Sequence, residues 1–268
     1  MLLEVRRLTK RFGGVAAADD LSFDVEEGSI TALIGPNGAG KTTVFNLISG
    51  FLRPDHGEIR FAKRRLEGRR GDIVARSGLV RTFQTPRVLT RMSVLDNLLL
   101  AAQDQPGERL GLGWIMPRRV ARREREIHAR ALEMLDLVRL RHVSDQYAGA
   151  LSGGQRKLVE FARALMVMPR MILLDEPMAG VLPALVLQLL DHVQDLRDHR
   201  GVTVFLIEHD MDVVMSVSDR VIVMDEGRLI ADGPPQAIQN DDRVIEAYLG
   251  PAAQSESSGK GPRETPRG

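Results

Sequence analysis

The chain has 268 residues and no cysteine, and its 37 Lys and Arg against 36 Asp and Glu leave a net charge of +1. This length allows one large domain or two intimate subdomains. The charge balance offers no global field for nucleic acid or anionic lipid, and the lack of cysteine excludes disulfides and thiolate metal sites and suits a reducing cytosol. The start is too charged for a signal peptide, and no apolar run approaches membrane-spanning length. We expect any membrane role to come through a partner.

The amino-terminal region predicts short strands separated by turns. Apolar and β-prone runs place strands at Leu3–Leu8, Leu21–Val25 and Ile30–Ile34. Phe12 precedes a Gly-Gly turn and could stack on an adenine ring through its π-face. A position at the rim of the core explains the same aromatic residue equally well.

A glycine-rich segment directly after the third strand predicts a phosphate-binding loop followed by a helix. Glycines let the backbone turn tightly, so that successive N–H groups face phosphate oxygens, and the helix adds the positive end of its dipole. The lysine can reach the β- and γ-phosphates and the first threonine can ligate Mg²⁺. The segment consists of Gly35, Pro36, Asn37, Gly38, Ala39, Gly40, Lys41, Thr42 and Thr43. We therefore expect the protein to bind a nucleoside triphosphate.

The middle of the chain predicts strands at 57–61 and 79–83, a helix at 94–102 capped by Ser93, and a Gly/Pro-rich loop at 104–117. Gln84 ends the second of these strands, where its amide oxygen could reach a metal or its attacking water. A helix is expected at 118–138, with arginines crowded at one end. A solvated face explains these arginines better than nucleic-acid binding, because Glu124 and Glu126 interrupt them and stacking aromatics are missing.

Residues 151–155 read Leu-Ser-Gly-Gly-Gln and are followed by a helix through Leu165. Ser152 occupies an N-cap position, so its hydroxyl and the N–H groups of Gly153 and Gly154 predict a second anion-binding helix start. This second anion-binding site needs an explanation, because the binding of one nucleotide would not require two such sites.

A buried strand at 171–174 ends in Asp175-Glu176. Adjacent carboxylates in such a place are costly without a cation or a proton. Asp175 could hold Mg²⁺ through its water shell, and Glu176 could polarise the attacking water. A helix at 183–199, a strand at 202–207 and then His209 follow. Ligands of open α/β sheets collect at the carboxyl ends of strands, so Glu176 and His209 should converge there.

The remaining sequence predicts two strands within 220–233, a helix at 243–249 and a disordered tail at 251–268. With Gly35–Thr42, Gln84, Leu151–Gln155, Ile172–Glu176 and His209 in this order, the chain resembles an ATP-binding-cassette ATPase over residues 1–250. The resemblance implies an α/β phosphate-loop NTPase core with an antiparallel β subdomain and an inserted helical subdomain at about 86–166. It also implies that Gln84 touches Mg²⁺ and senses the membrane partner, that Glu176 is the catalytic base, and that His209 is the switch histidine at the γ-phosphate.

The same resemblance explains the two anion sites. Cassettes of this family dimerise head to tail, so Ser152, Gly153, Gly154 and Gln155 would serve the nucleotide bound mainly by the partner. ATP would close the dimer, and hydrolysis would reopen it to drive alternating access in membrane subunits.

Finer features resemble the bacterial branched-chain amino acid uptake cassettes. They are Val80–Gln84, the inserted segment 104–138, Glu176–Gly180, Glu208–Met211 and Glu246–Gly250. This branch implies two permeases, a second related cassette or a second copy of this chain, a periplasmic or extracellular binding protein, and a place on the cytoplasmic face of the inner membrane. Urea, short-amide and lipopolysaccharide cassettes are close relatives and stay open as alternatives.

One position departs from the family pattern, since Leu182 stands where Asp or Asn usually precedes the proline. Leucine cannot supply a hydrogen bond across the dimer. The hypothesis is that coupling between the two sites is weaker here or is supplied by the partner. A soluble cassette acting on ribosomes or DNA fits less well, because the chain has one cassette, no sustained heptads and no strongly basic domain. A module that binds without hydrolysing is opposed by the presence of Lys41, Asp175, Glu176 and His209.

Overall fold

A computed structural model describes residues 1–82, 88–103, 117–180 and 183–249. The strands are β1 (Leu3–Phe12), β2 (Val15–Val25), β3 (Ile30–Ile34), β4 (His56–Phe61), β5 (Arg64–Arg65), β6 (Leu79–Arg81), β7 (Met171–Asp175), β8 (Thr203–Ile207), β9 (Arg220–Asp225) and β10 (Arg228–Gly233). The helices are α1 (Lys41–Ile48), α2 (Gly71–Arg76), α3 (Val94–Leu99), α4 (Pro117–Leu137), α5 (Gly153–Leu165), α6 (Pro183–Arg200), α7 (Met211–Val217), α8 (Pro235–Gln239) and α9 (Asp242–Leu249).

The first sheet is antiparallel, with the strand order β2-β1-β4-β5. Its β1–β2 hairpin turns at Gly13-Gly14, and Phe12 pairs with Val15. The prediction that β2 begins at Leu21 was wrong, because the strand starts at Val15. Residues 15–20 lack the apolar alternation that marks a strand, and they are ordered by backbone pairing with β1.

The second sheet has the order β10-β9-β3-β8-β7-β6 and is parallel except for β10. Its central strands are buried on both faces, which explains their continuous apolar sequences. On one face, alternate residues such as Leu33 and Phe205 pack with α1 and the antiparallel sheet. On the other, residues such as Ala32 and Leu206 join the core formed with α3, α4, α5 and α6. This arrangement confirms the predicted fold class.

The strand register brings the carboxyl ends of β3, β8 and β7 to one edge. Leu33 is paired with Ile207, and Ile207 with Asp175. The segments that follow these three strands therefore begin side by side. Within the described ranges, none of the helices has both the length and the apolar character that crossing a bilayer requires.

Candidate nucleotide-binding site

At two positions, the loop after β3 has a backbone conformation that requires glycine. Gly35 and Gly40 have φ angles of 147° and 100°. A Cβ on Gly35 would lie 2.0 Å from the carbonyl oxygen of Met224, and a Cβ on Gly40 would lie 2.0 Å from that of Ala17. The loop is thus pressed against both β9 and the β1–β2 hairpin, and α1 begins at its end with Lys41.

Lys41 lies inside this loop. Its Nζ donates to the carbonyl oxygens of Gly35 at 2.7 Å and Pro36 at 2.9 Å. Burial lowers the pKa of Lys41, and the nearby carboxylates of Glu176 and Asp175 oppose that shift. The ammonium group is therefore held at the loop, within electrostatic reach of both carboxylates. Thr42 is exposed and Thr43 half-buried in the first turn of α1, which contains no acidic residue.

An adenine-stacking role for Phe12 is consistent with its exposure. The ring is 48% exposed at the end of β1, with the Lys10 Nζ 5.7 Å from its centroid. The same exposure also fits a position at the rim of the core, so adenine stacking by Phe12 stays a prediction. The hairpin that carries Phe12 contacts the phosphate loop through Ala17 and Gly40.

Asp175 is paired with a residue that sequence reasoning missed. Arg81 donates from Nη2 to its carboxylate at 2.6 Å, and the two side chains are only 7% and 6% exposed. Arg81 also donates to Asn46 on α1 at 2.7 Å and lies near the rings of Phe45 and Phe51. An arginine beside apolar residues in a short strand was the available signal, because a charge that becomes buried requires a partner.

Glu176 and His209 meet as predicted. His209 Nε2 lies 2.5 Å from Glu176 Oε1, although the residues are far apart in sequence. Glu176 has a φ of 49°, and its N–H donates to the carbonyl of Ile207 at 3.0 Å. A left-handed backbone in a residue other than glycine is unfavourable and persists only when its surroundings hold it. The site therefore fixes this carboxylate through both backbone and side chain.

Two more residues support Glu176 and were missed in the sequence. Glu208 is buried and accepts the N–H groups of Met178 at 2.8 Å and His209 at 3.2 Å, and its pKa is raised by burial. Lys157 on α5 donates to backbone carbonyls near Glu176. Neither residue belongs to a contiguous motif with Glu176, so only the tertiary structure identifies them.

The start of α5 confirms Ser152 as an N-cap. Its Oγ accepts the N–H of Gln155 at 3.2 Å, and the Gln155 side chain accepts the N–H of Ser152 at 3.0 Å. Ser152 and Gly153 are exposed, while Gly154 is half-buried. Both hydrogen bonds are internal to this turn, which therefore presents an ordered helix start at the surface.

The donors available for Mg²⁺ fit a nucleotide-dependent site. Mg²⁺ usually keeps several waters and takes one or two protein ligands together with substrate phosphates. Thr42 offers an exposed hydroxyl and Asp175 offers a carboxylate. Gln84, the third predicted ligand, lies outside the described residues, as does Leu182 of the family comparison. Within those residues, His, Asp and Glu side chains form no group of three that could hold a metal unaided. The residues thus fit a metal that arrives with phosphates.

Gly40→Ala is expected to destabilise the protein more than Gly38→Ala. Both glycines have left-handed backbones, which cost about 1–2 kcal/mol with a side chain. Only the Cβ at Gly40 meets a backbone atom, and such overpacking adds about 1–3 kcal/mol. Urea unfolding of the two variants measures the difference. Equal free energies of unfolding would show that the contact with Ala17 yields without cost.

Comparison with known proteins identifies the family. The family described as "ABC transporter" matches residues 18–179, and the one described as "Branched-chain amino acid ATP-binding cassette transporter" matches residues 228–250. The high-affinity branched-chain amino acid transport ATP-binding protein BraF of Pseudomonas aeruginosa is 42% identical over 94% of this chain and 98% of its own length. The protein LivG of Escherichia coli K12, described in the same words, is 40% identical over the same shares.

Solved structures agree with this comparison. A nucleotide-free ATP-binding cassette from an ABC transporter is 39% identical, with a TM-score of 0.79 over 93% of this chain and 99% of that one. A cassette in its ADP conformation is 37% identical, with a TM-score of 0.78 over 93% and 98%. The chain belongs to the ABC transporter family and is an ATP-binding cassette ATPase. The family resemblance and the expected ATPase activity are thereby confirmed.

Proposed function

We propose that this ATPase powers a membrane importer of branched-chain amino acids. The assignment of substrate is carried by the carboxyl-terminal segment, because residues 228–250 match the family described for those transporters. The names of the relatives BraF and LivG support the same substrate. The segment includes α9, which lines a cleft with the outer side of the phosphate loop, so the branch-specific part of the chain adjoins the catalytic part.

The proposed mechanism assigns each step to a side chain at the edge of the sheet. The phosphate loop and Lys41 bind the phosphates, and Phe12 stacks on the adenine. Thr42, Asp175 and Gln84 would hold Mg²⁺, which would neutralise charge on the phosphates. Glu176 accepts a proton from the attacking water. His209 orients that carboxylate through the 2.5 Å contact and, as the switch histidine, would contact the γ-phosphate.

The exposed start of α5 supports a dimeric arrangement. Its internal caps order the turn at the surface. The N–H groups of Gly153 and Gly154 would then be offered to the nucleotide held by another cassette. The partner would be a second related cassette or a second copy of this chain. Two permease subunits would complete the transporter at the cytoplasmic face of the inner membrane, with a binding protein delivering the solute.

Uptake in cells tests the substrate. Cells that depend on the intact gene are compared with cells carrying Glu176→Gln, using radiolabelled leucine, urea and acetamide. We expect selective loss of leucine uptake, because the proposed base is removed while the fold is kept. Loss of urea or acetamide uptake would instead assign the protein to a urea or short-amide importer. Unchanged uptake of all three would contradict the importer and favour export, such as that of lipopolysaccharide.

A further inference from the structure

The segment that carries Glu176 is a tight turn held by two other elements. The N–H of Ala179 donates to the carbonyl of Glu176 at 3.2 Å, which closes residues 176–179 into one turn. We call these residues the catalytic turn. Because Glu176 has a left-handed φ of 49°, contacts to this turn decide where its carboxylate points.

Lys157 contacts the catalytic turn and lies on α5, the helix that Ser152 caps. Its Nζ donates to the carbonyl oxygens of Glu176 at 3.4 Å, Pro177 at 3.3 Å and Ala179. An ammonium group has three N–H donors, so the three carbonyls match its capacity. Burial lowers the pKa of Lys157, against the attraction of Glu208, Glu160 and Glu176. The partly desolvated charge strengthens these hydrogen bonds relative to similar bonds in water.

The opposite side of the catalytic turn is held by the segment after β8. Glu208 accepts the N–H of Met178 at 2.8 Å, while its neighbour His209 contacts the Glu176 side chain. The carbonyls of the turn therefore face α5, and one of its amides faces Glu208. A displacement of α5 along its axis must move the turn or break the bonds from Lys157.

We propose that Lys157 is a positioning residue that couples the start of α5 to the catalytic carboxylate of the same chain. Ser152 caps α5 and Lys157 lies in the second turn of the same helix, so an anion bound at the helix start acts on the catalytic turn through Lys157. The inference rests on the proposed dimer, in which that anion belongs to the nucleotide of the other cassette. Lys157 then links the two nucleotide sites. The side chain of Leu182 cannot make such a link, because leucine forms no side-chain hydrogen bond.

Lys157→Met tests this coupling, because methionine keeps most of the side-chain volume and removes the three donors. We expect the turnover of ATP in the assembled transporter to fall by about 10²-fold, the scale of a misplacement of 1 Å at a reacting group. We expect the wild-type rate to depend cooperatively on ATP concentration and the variant to lose this cooperativity, whereas its Kd for ATP stays within about twofold of the wild-type value. Lys157→Arg, which retains charge and donors, should recover most of the turnover.

Matched variants separate this role from a structural one. Lys63→Met removes an exposed lysine from the β4–β5 turn and should leave turnover and cooperativity unchanged. Lys157→Met with wild-type turnover and cooperativity would overturn the inference. The inference would also be overturned if the midpoint of urea unfolding, or the affinity for ATP, fell in proportion to turnover. Either result would show that the role of Lys157 is structural. Glu176→Gln is assayed in parallel; if that variant keeps full turnover, the proposed catalytic role of Glu176 fails, whatever Lys157→Met does.

Discussion

Glu176→Gln is expected to reduce the rate of ATP hydrolysis by about 10²–10⁴-fold, the usual contribution of a positioned general base. Glutamine has the same shape but cannot accept the proton of the attacking water. ATP binding should be retained, because the phosphate loop and Lys41 lie on other elements. Turnover is measured by phosphate release, and binding by equilibrium titration with ATP.

Lys41→Ala supplies the contrast to this variant. It removes the ammonium group that the loop carbonyls hold, so ATP affinity itself should fall. Glu176→Gln should bind ATP and accumulate the closed, ATP-bound form, while Lys41→Ala should not reach it. Hydrolysis by Glu176→Gln at the wild-type rate would refute the role assigned to this carboxylate.

Arg81→Met is expected to lower the free energy of unfolding by about 3–5 kcal/mol, the usual effect of removing one partner from a buried ion pair. The change leaves the Asp175 carboxylate almost fully buried beside a thioether in place of a guanidinium. It also removes the hydrogen bond to Asn46, which ties β6 to α1. Urea unfolding followed by circular dichroism measures the loss.

An exposed pair of the same type controls for the loss of an arginine. Arg60 and Glu58 are 3.0 Å apart, with side chains 45% and 38% exposed, so Arg60→Met should leave the free energy of unfolding nearly unchanged. The double variant Arg81→Met/Asp175→Leu should recover most of the stability, because no buried charge is left alone. A single variant Arg81→Met as stable as Arg60→Met would show that Asp175 is stabilised by other means.

The sequence predicted well those local structural features that depend on adjacent residues. The phosphate loop, the capped start of α5 and the strand ending in Asp175 each depend on spacing within a few residues, and the structure contains each of them. The meeting of Glu176 and His209 was also predictable, because parallel strands share one carboxyl edge. Helix and strand ends were less predictable. The helix expected over 94–102 ends at Leu99, and α2, α7 and α8 were not predicted.

Residues whose role depends on distant partners could not be found in this way. Lys157 occupies an ordinary helical position in sequence, and its function appears only when the catalytic turn folds against it. Glu208 precedes His209 without any sign that it would be buried and would accept the N–H of Met178. Both side chains act on backbone groups, which leave no trace in residue identity.

By itself, the sequence determined that this protein binds a nucleotide and belongs to the ABC ATPases, and it set the order of the proposed catalytic groups along the chain. These features could be read from the sequence because glycines, a lysine and strand-end carboxylates are recognised by their spacing along the chain. The tertiary structure alone decided that Asp175 is neutralised by Arg81 and that Glu176 is fixed by Lys157 and Glu208. Those contacts depend on the packing of α5, β6 and β8 around β7. Buried charges must find partners there, wherever the chain supplies them.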